Sequence, residues 1–352
     1  MNHRRSLGGY HNRLTVGALV LAGLTLANLQ ACTEFRRSPA APVATAAAGP
    51  ATPERAAVIA QVNRARAAAG LPELAVDGLL ERVGNAHCGI QVEEGTIGHF
   101  SRSGVPPYLR YLLAGGHGFH RENAATYSSS AAVPDGALDA ILAHSVASML
   151  AEIPPDDGHR RALLDPDVTH IGVGLAVRGG EVRMTQELAT EAAVTWSPPP
   201  AVVRPRSAVA LGGTLARPWR PAAAQVLWGP LPRPLSTARA NAIRAYGYPP
   251  PRVTLAANQL PDLPGGAGGQ RTAGPAAPFA VDRFGNFTLK WATGSGEGVE
   301  IAIVLATRGA GTQLIPVAAA ATVVTASGTL PPELAFWRAL AAPAPTAGGG
   351  AR

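Results

Sequence analysis

Between Trp196 and Pro205 the chain changes character, and that break limits what the rest can become. Before it, apolar residues recur at helical spacing. Beyond it they come in short runs cut by proline and glycine, the pattern of a β-sandwich. The 352 residues include 40 glycines and 32 prolines and are 47% hydrophobic, which is enough for two cores joined by much turn. The expected class is α+β: a helical unit with a late hairpin over residues 54–192, a Pro-rich linker over 193–206, and a smaller β-sandwich-like unit over 207–340.

The N-terminus reads as a targeting device and is set apart from the fold. Arg4, Arg5 and Arg13 precede Leu14 to Ala31, an uncharged apolar run that ends in Leu29-Gln30-Ala31-Cys32. This resembles the lipobox of bacterial lipoproteins. It implies a signal peptide over residues 1–31, lipid on Cys32 and a membrane as partner. Thr33, where an aspartate would favour the inner membrane, points to an outer-membrane anchor in the bacterial envelope, facing the periplasm or the surface. Residues 32–53 are rich in Ala, Pro and Thr, a composition too poor in large apolar groups to order itself, and they read as a tether. The tail over 341–352 reads as disordered for the same reason.

Loss of the three leader arginines lowers the formal charge from +7 to about +4. That is mild, and no basic stripe interleaved with aromatics is present, so nucleic acid is not an expected partner. With Cys32 committed to lipid, Cys88 has no disulfide partner and reads as a small buried apolar residue.

Along the first unit, helices are expected over Glu54 to Ala69, stopped by Gly70-Leu71-Pro72, and over Asp77 to Glu94, with Asp77 as cap. Gly95 and Gly98 follow and present His99. A short helix is expected from Gly104 to Leu113, a loop over Gly115 to His120, a turn after Arg121-Glu122-Asn123, and a third long helix over Asp135 to Leu150. One helical turn follows His159, and then two strands, Ile171 to Val177 and Glu181 to Leu188, joined by a glycine turn. In the second unit the apolar runs are Ala208–Leu215, Ala223–Leu227, Val253–Ala257, Phe279–Val281, Phe287–Trp291, Val299–Thr307 and Thr322–Thr325, with one helix at Ser236–Tyr246 and a glycine-rich loop over Gly265–Gly274.

Five short motifs stand in order in the first unit. They are Gln61-Val62-Asn63-Arg64-Ala65-Arg66 with Gly70-Leu71-Pro72; Gly98-His99-Phe100-Ser101; Glu122-Asn123; Gly158-His159-Arg160 with Leu163-Leu164; and Ile171-Gly172-Val173-Gly174. Together they resemble the CAP superfamily, also called SCP, in its bacterial form. The resemblance implies a three-layer α-β-α sandwich and a cleft lined by two histidines and two acids. Carried over by motif, these are His99, His159, Glu122 and Glu152, with Asp157 as an alternative to Glu152. Arg121 stands where the family has a glycine.

Neutral imidazoles and carboxylates that converge can hold a divalent cation such as zinc or magnesium, or can hydrogen-bond one another without one. His87, His117, His120, His144 and His170 read as surface or core histidines, and Ser101 as a turn residue. No metalloprotease, serine-hydrolase or phosphate-loop signature is present. Three functions follow as expectations. One is a non-catalytic module that binds a small ligand, with the lipid or sterol of some relatives as examples, or an envelope protein. Another is a metal-dependent hydrolase or protease using His99, Glu122 and His159. The third is a structural role through the β-unit.

Overall fold

The computed structural model describes residues 41–42, 52–258 and 278–341. The signal segment, Cys32, most of the tether, the Gly265–Gly274 loop and the tail after Ala341 lie outside the described residues. Ala41–Pro42 is a short strand, β1.

The first unit runs α1 (Pro53–Ala68), β2 (Ala75–Val76), α2 (Gly78–Glu94), α3 (Pro107–Leu113), β3 (Phe119–Ser128), α4 (Ala137–Leu150), α5 (Gly158–Leu163), β4 (His170–Arg178) and β5 (Glu181–Thr190). Its sheet has the order β2-β4-β5-β3, so β3 is an edge strand. Asp77 caps α2 by accepting from the Leu80 amide at 2.8 Å, and left-handed Gly95 ends that helix.

One sheet face, with Ile171, Val173, Val182, Met184 and Leu188, packs on Val58 and Val62 of α1 and Leu142, Val146 and Met149 of α4. The other face meets α2. There Gly172 and Gly174 let the helix backbone approach: a Cβ on Gly174 would collide with the Gly84 carbonyl carbon. The helices on both faces make the expected α-β-α sandwich.

Two polar residues of the opening motif hold its turn. Asn63 accepts from the Leu74 amide and donates to the Leu74 carbonyl. Fully buried Arg66 donates to the carbonyls of Pro72, Leu163, Asp165 and Val168, tying α1 to the segment between α5 and β4.

The second unit comprises β6 (Ala193–Ser197), β7 (Val202–Val203), β8 (Ala208–Leu215), β9 (Trp219–Gly229), α6 (Thr237–Ala242), β10 (Pro251–Ala256), β11 (Phe279–Val281), β12 (Asn286–Ala292), β13 (Gly298–Arg308), β14 (Ile315–Val324) and α7 (Pro332–Ala339). Two five-stranded sheets, β1-β6-β8-β12-β11 and β10-β9-β13-β14-β7, enclose a core of Leu211, Phe279, Phe287 and Leu289 against Val226, Ala302, Val304 and Ala318.

Besides β1 inside the expected tether and α7, where no element was expected, the structure departs from the sequence expectation in four places. The turn expected after Asn123 is instead the strand β3, because its backbone pairs with β5 from Phe119↔Thr190 to Ser128↔Glu181. The expected linker 193–206 carries β6 and β7, which pair with β8 and β14; proline there is tolerated because it falls between the strands. The last strand begins at Ile315 rather than Thr322, its alanine-rich first half being ordered by pairing with β13. The helix expected over Ser236–Tyr246 stops at Ala242, and the chain runs extended from Ile243.

The two units also share a core. Val299, Ile301, Ile303 and Leu305 of β13 face away from the sandwich interior. They pack with Tyr108, Leu109 and Leu112 of α3 and with Leu334 and Trp337 of α7. A sheet covered on both faces needs apolar residues at consecutive positions, which is why β13 reads Gly-Val-Glu-Ile-Ala-Ile-Val-Leu-Ala without alternation.

Candidate functional site

The site is built at the β3 edge of the first sheet. The loop after α2, turned by left-handed Gly95 and Gly98, delivers His99. Strand β3 delivers Glu122, whose side chain projects to the α2 face in register with Glu187 and Gly172. His99 Nδ1 lies 2.9 Å from Glu122 Oε1, and Glu122 Oε2 accepts from Arg110 of α3. Arg110 is fully buried and also donates to the carbonyls of His99 and Val105, both at 2.9 Å. Burial disfavours the charge on Glu122, but the Arg110 guanidinium and the His99 hydrogen bond outweigh it and hold the carboxyl well below the usual range.

Behind this pair lies a second one. Glu187 Oε2 meets His120 Nε2 at 2.8 Å, with both side chains inaccessible to solvent. Burial and the facing Glu122 push the Glu187 carboxyl well above its ordinary value. Burial pushes His87 and His120 down to about 3, so both stay neutral.

The other predicted histidine stands apart. His159, on the first turn of α5, has Nδ1 against Glu152 Oε1, and its amide donates to Glu152 Oε2 at 2.9 Å. Its side chain is 36% exposed and that of Glu152 is 22% exposed. Asn123 Nδ2 reaches the His159 carbonyl at 3.2 Å and Gln186 Oε1 at 3.1 Å, which ties α5 to the sheet. Asn123 and Glu122 alternate across β3, so the two histidine-glutamate pairs are anchored on opposite faces of the edge strand. Asp157, the alternative acid, forms an ion pair with the Arg161 guanidinium at 3.3 Å.

Each imidazole thus has its Nδ1 occupied by a carboxylate. Glu122 spends both oxygens on His99 and Arg110, so in this arrangement it orients rather than offering a ligand to a cation. Among the described residues, no group of three or more His, Cys, Asp or Glu side chains is placed to hold a metal ion. In this arrangement the four predicted residues stand as two separate pairs.

Of the remaining histidines, His117 and His170 approach Glu191 Oε2 at 3.9 and 3.6 Å, and His144 lies within hydrogen-bond reach of Ser148 on α4. Ser101 bonds Ser103 within its turn. Cys88 is buried beside Thr185, and burial pushes its thiol up to about 12.

Sequence reading missed three participants. Arg110 is the one charge in the apolar helix Pro-Tyr-Leu-Arg-Tyr-Leu-Leu, a pattern that could have marked a buried partner for an acid. Tyr246 and Tyr248 come from the second unit, in the extended stretch after α6. The Tyr246 hydroxyl accepts from the Glu122 amide, and its ring meets His99 edge-on at 4.8 Å between centroids. The Tyr248 hydroxyl accepts from the His120 amide and donates to the His120 carbonyl, both at 3.2 Å.

An α-β-α sandwich with histidine-glutamate pairs at its sheet edge, fused to a β-sandwich, defines the class. The model of the cysteine-rich secretory protein family, CAP, matches residues 59–188, and that region is a CAP domain. Among solved structures, an outer surface protein from Borrelia burgdorferi is similar at 18% identity and a TM-score of 0.33, over 43% of this chain and 98% of that one. An extracellular SCP-domain protein from Bacillus anthracis is similar at 22% identity and a TM-score of 0.31, over 41% of this chain and 45% of that one. The CAP domain of enterococcal PrgA is similar at 16% identity and a TM-score of 0.28, over 39% of this chain and 61% of that one. A search of curated proteins found no match.

Proposed function

We propose that this chain is a bacterial cell-envelope binding module, anchored through lipid on Cys32, whose CAP cleft takes a small amphipathic ligand of the lipid or sterol kind. The contrast between the two halves of the site carries the reading. His99 and Glu122 are buried, whereas the His159–Glu152 pair is open to solvent, and the next residue, Ile153, is 74% exposed. A polar pair beside an uncovered apolar side chain gives a head group a hydrogen bond and a hydrocarbon a contact. The leader arginines, the apolar run and the Cys32 motif support the envelope location.

The test uses the full mature chain. Lipids extracted from the purified protein are identified by mass spectrometry, and binding of a fluorescent sterol and a fluorescent fatty acid is titrated for wild type, His159→Ala and Ile153→Glu. Each variant is expected to weaken binding at least fivefold. Lipid-free preparations that bind neither probe, or variants that bind as wild type does, would sink the reading. Titrations repeated with zinc, with magnesium and with chelator test the metal. Chelator-sensitive ester or casein turnover that His159→Ala abolishes would favour the hydrolase instead. Fatty-acid labelling lost in Cys32→Ser tests the anchor.

A further inference from the structure

The connection from β9 to β10, residues 230–250, does not take the short route between two neighbouring strands. It leaves the sandwich, crosses the CAP domain beside His99 and returns. The contacts run along its whole length. The Leu235 amide donates to the Arg102 carbonyl at 2.8 Å, and the Arg233 carbonyl lies so close to left-handed Gly104 that a Cβ there would collide with it. Asn241 accepts from the Ile97 amide at 2.9 Å and donates to the Gly95 carbonyl at 3.2 Å, clasping the loop that carries His99.

The far end of this strap meets the open edge of β3. Alternate amides of an edge strand point outward and need partners. Those of His120 and Glu122 are two residues apart, and they are taken by the hydroxyls of Tyr248 and Tyr246, also two residues apart. The rings fill the apolar floor: Tyr248 stacks between Tyr108 at 4.3 Å and Phe119 at 4.7 Å, and Tyr246 stands against the imidazole of His99. His99 is left only 7% exposed.

We propose that residues 230–250 form an intramolecular gate over the His99–Glu122 pair on the α2 face of the β3 edge, with Tyr246 and Tyr248 in the space that the apolar part of a ligand would enter. The β-sandwich thereby controls access to His99: in the closed state only the His159–Glu152 pair, on the other face of β3, is accessible, and entry to the His99–Glu122 pair requires the two tyrosines to leave the β3 edge. The attachment suits a gate. It is made by two hydroxyls, a stacked ring and a few loop hydrogen bonds, rather than by a strand paired along the edge, so it releases without unpairing a sheet.

The biological meaning of the gate rests on reading the cleft as a ligand site, but its test needs no ligand. Full-length wild type is treated with diethyl pyrocarbonate, and the rates at His99 and His159 are followed by peptide mass spectrometry. His159 is expected to react at least tenfold faster than His99. In Tyr246→Ala the His99 rate should rise at least tenfold and the His159 rate stay within twofold, with the circular dichroism of wild type. Equal rates in wild type, or an unchanged His99 rate in the folded variant, would overturn the proposal while leaving lipid binding at His159 to stand or fall separately. Should Tyr246→Ala not fold, the double variant Tyr246→Phe/Tyr248→Phe keeps both rings and removes only the hydroxyls. Amide exchange at His120 and Glu122 is then expected to quicken at least tenfold, and unchanged exchange would overturn the gate.

Discussion

Arg110 and Glu122 form an ion pair in which neither side chain touches solvent, and it joins α3 to the edge strand β3. A buried pair contributes little net stability, because desolvation offsets the attraction, but removing one partner strands the other charge. Arg110→Met is therefore expected to cost about 3–5 kcal/mol in urea unfolding. Arg110→Met/Glu122→Leu should cost less than the single change. A double variant less stable than Arg110→Met would show that the guanidinium acts through the His99 and Val105 carbonyls rather than through Glu122.

The buried histidines set an acid limit. His87 and His120 titrate at about 3 in the fold because of burial, against 6.5 when exposed. Between those values the unfolded chain binds more protons, so stability is lost as pH falls, by about 1.4 kcal/mol per pH unit for each histidine. Glu187 has the opposite sign. Its raised carboxyl holds a proton that the unfolded chain releases above 4.5, so its contribution is present below 4.5 and fades as pH rises. Above 4.5 Glu187 thus opposes the two histidines without cancelling them both, and below 4.5 the acid slope steepens as the depressed Glu122 adds its own loss. Thermal melts from about pH 4 to 8 should show stability falling as pH drops below about 6.5, and His120→Gln should flatten that acid slope. A melting temperature flat from pH 6.5 to 4.5 would contradict this assignment.

Because β13 covers α3, the CAP domain is not expected to stand alone. A chain ending at residue 192 would uncover Tyr108, Leu109 and Leu112 and free the amides of His120 and Glu122. Aggregation, or the absence of a cooperative melt, is the expected outcome by size-exclusion chromatography and circular dichroism. A monomer with a sharp transition would refute the shared core.

Much of the CAP domain was legible because its signals are local. Asp77 before an apolar helix, left-handed glycines after α1 and α2, and the glycine turn between β4 and β5 each act over a few residues, and the elements began and ended close to where those residues stand. Strand β3 was not legible. His-Arg-Glu-Asn is polar on both faces, and it is a strand because β5 supplies its hydrogen bonds and Arg110, Glu187 and Gln186 satisfy its side chains.

By itself the sequence determined the α+β class, the main helices and the late hairpin of the first unit, and the chemistry available to His99, Glu122, Glu152 and His159, and its family resemblance implied the α-β-α arrangement. Tertiary structure alone decided how those four divide: His99 with Glu122 under Arg110 and Tyr246, His159 with Glu152 in the open. It also decided that the β-sandwich reaches back over the CAP domain. The physical reason is reach. Caps, turns and hydrophobic period are written within a few neighbouring residues, whereas the partners of a buried charge or an unpaired edge amide lie as much as 128 positions away and are chosen by packing.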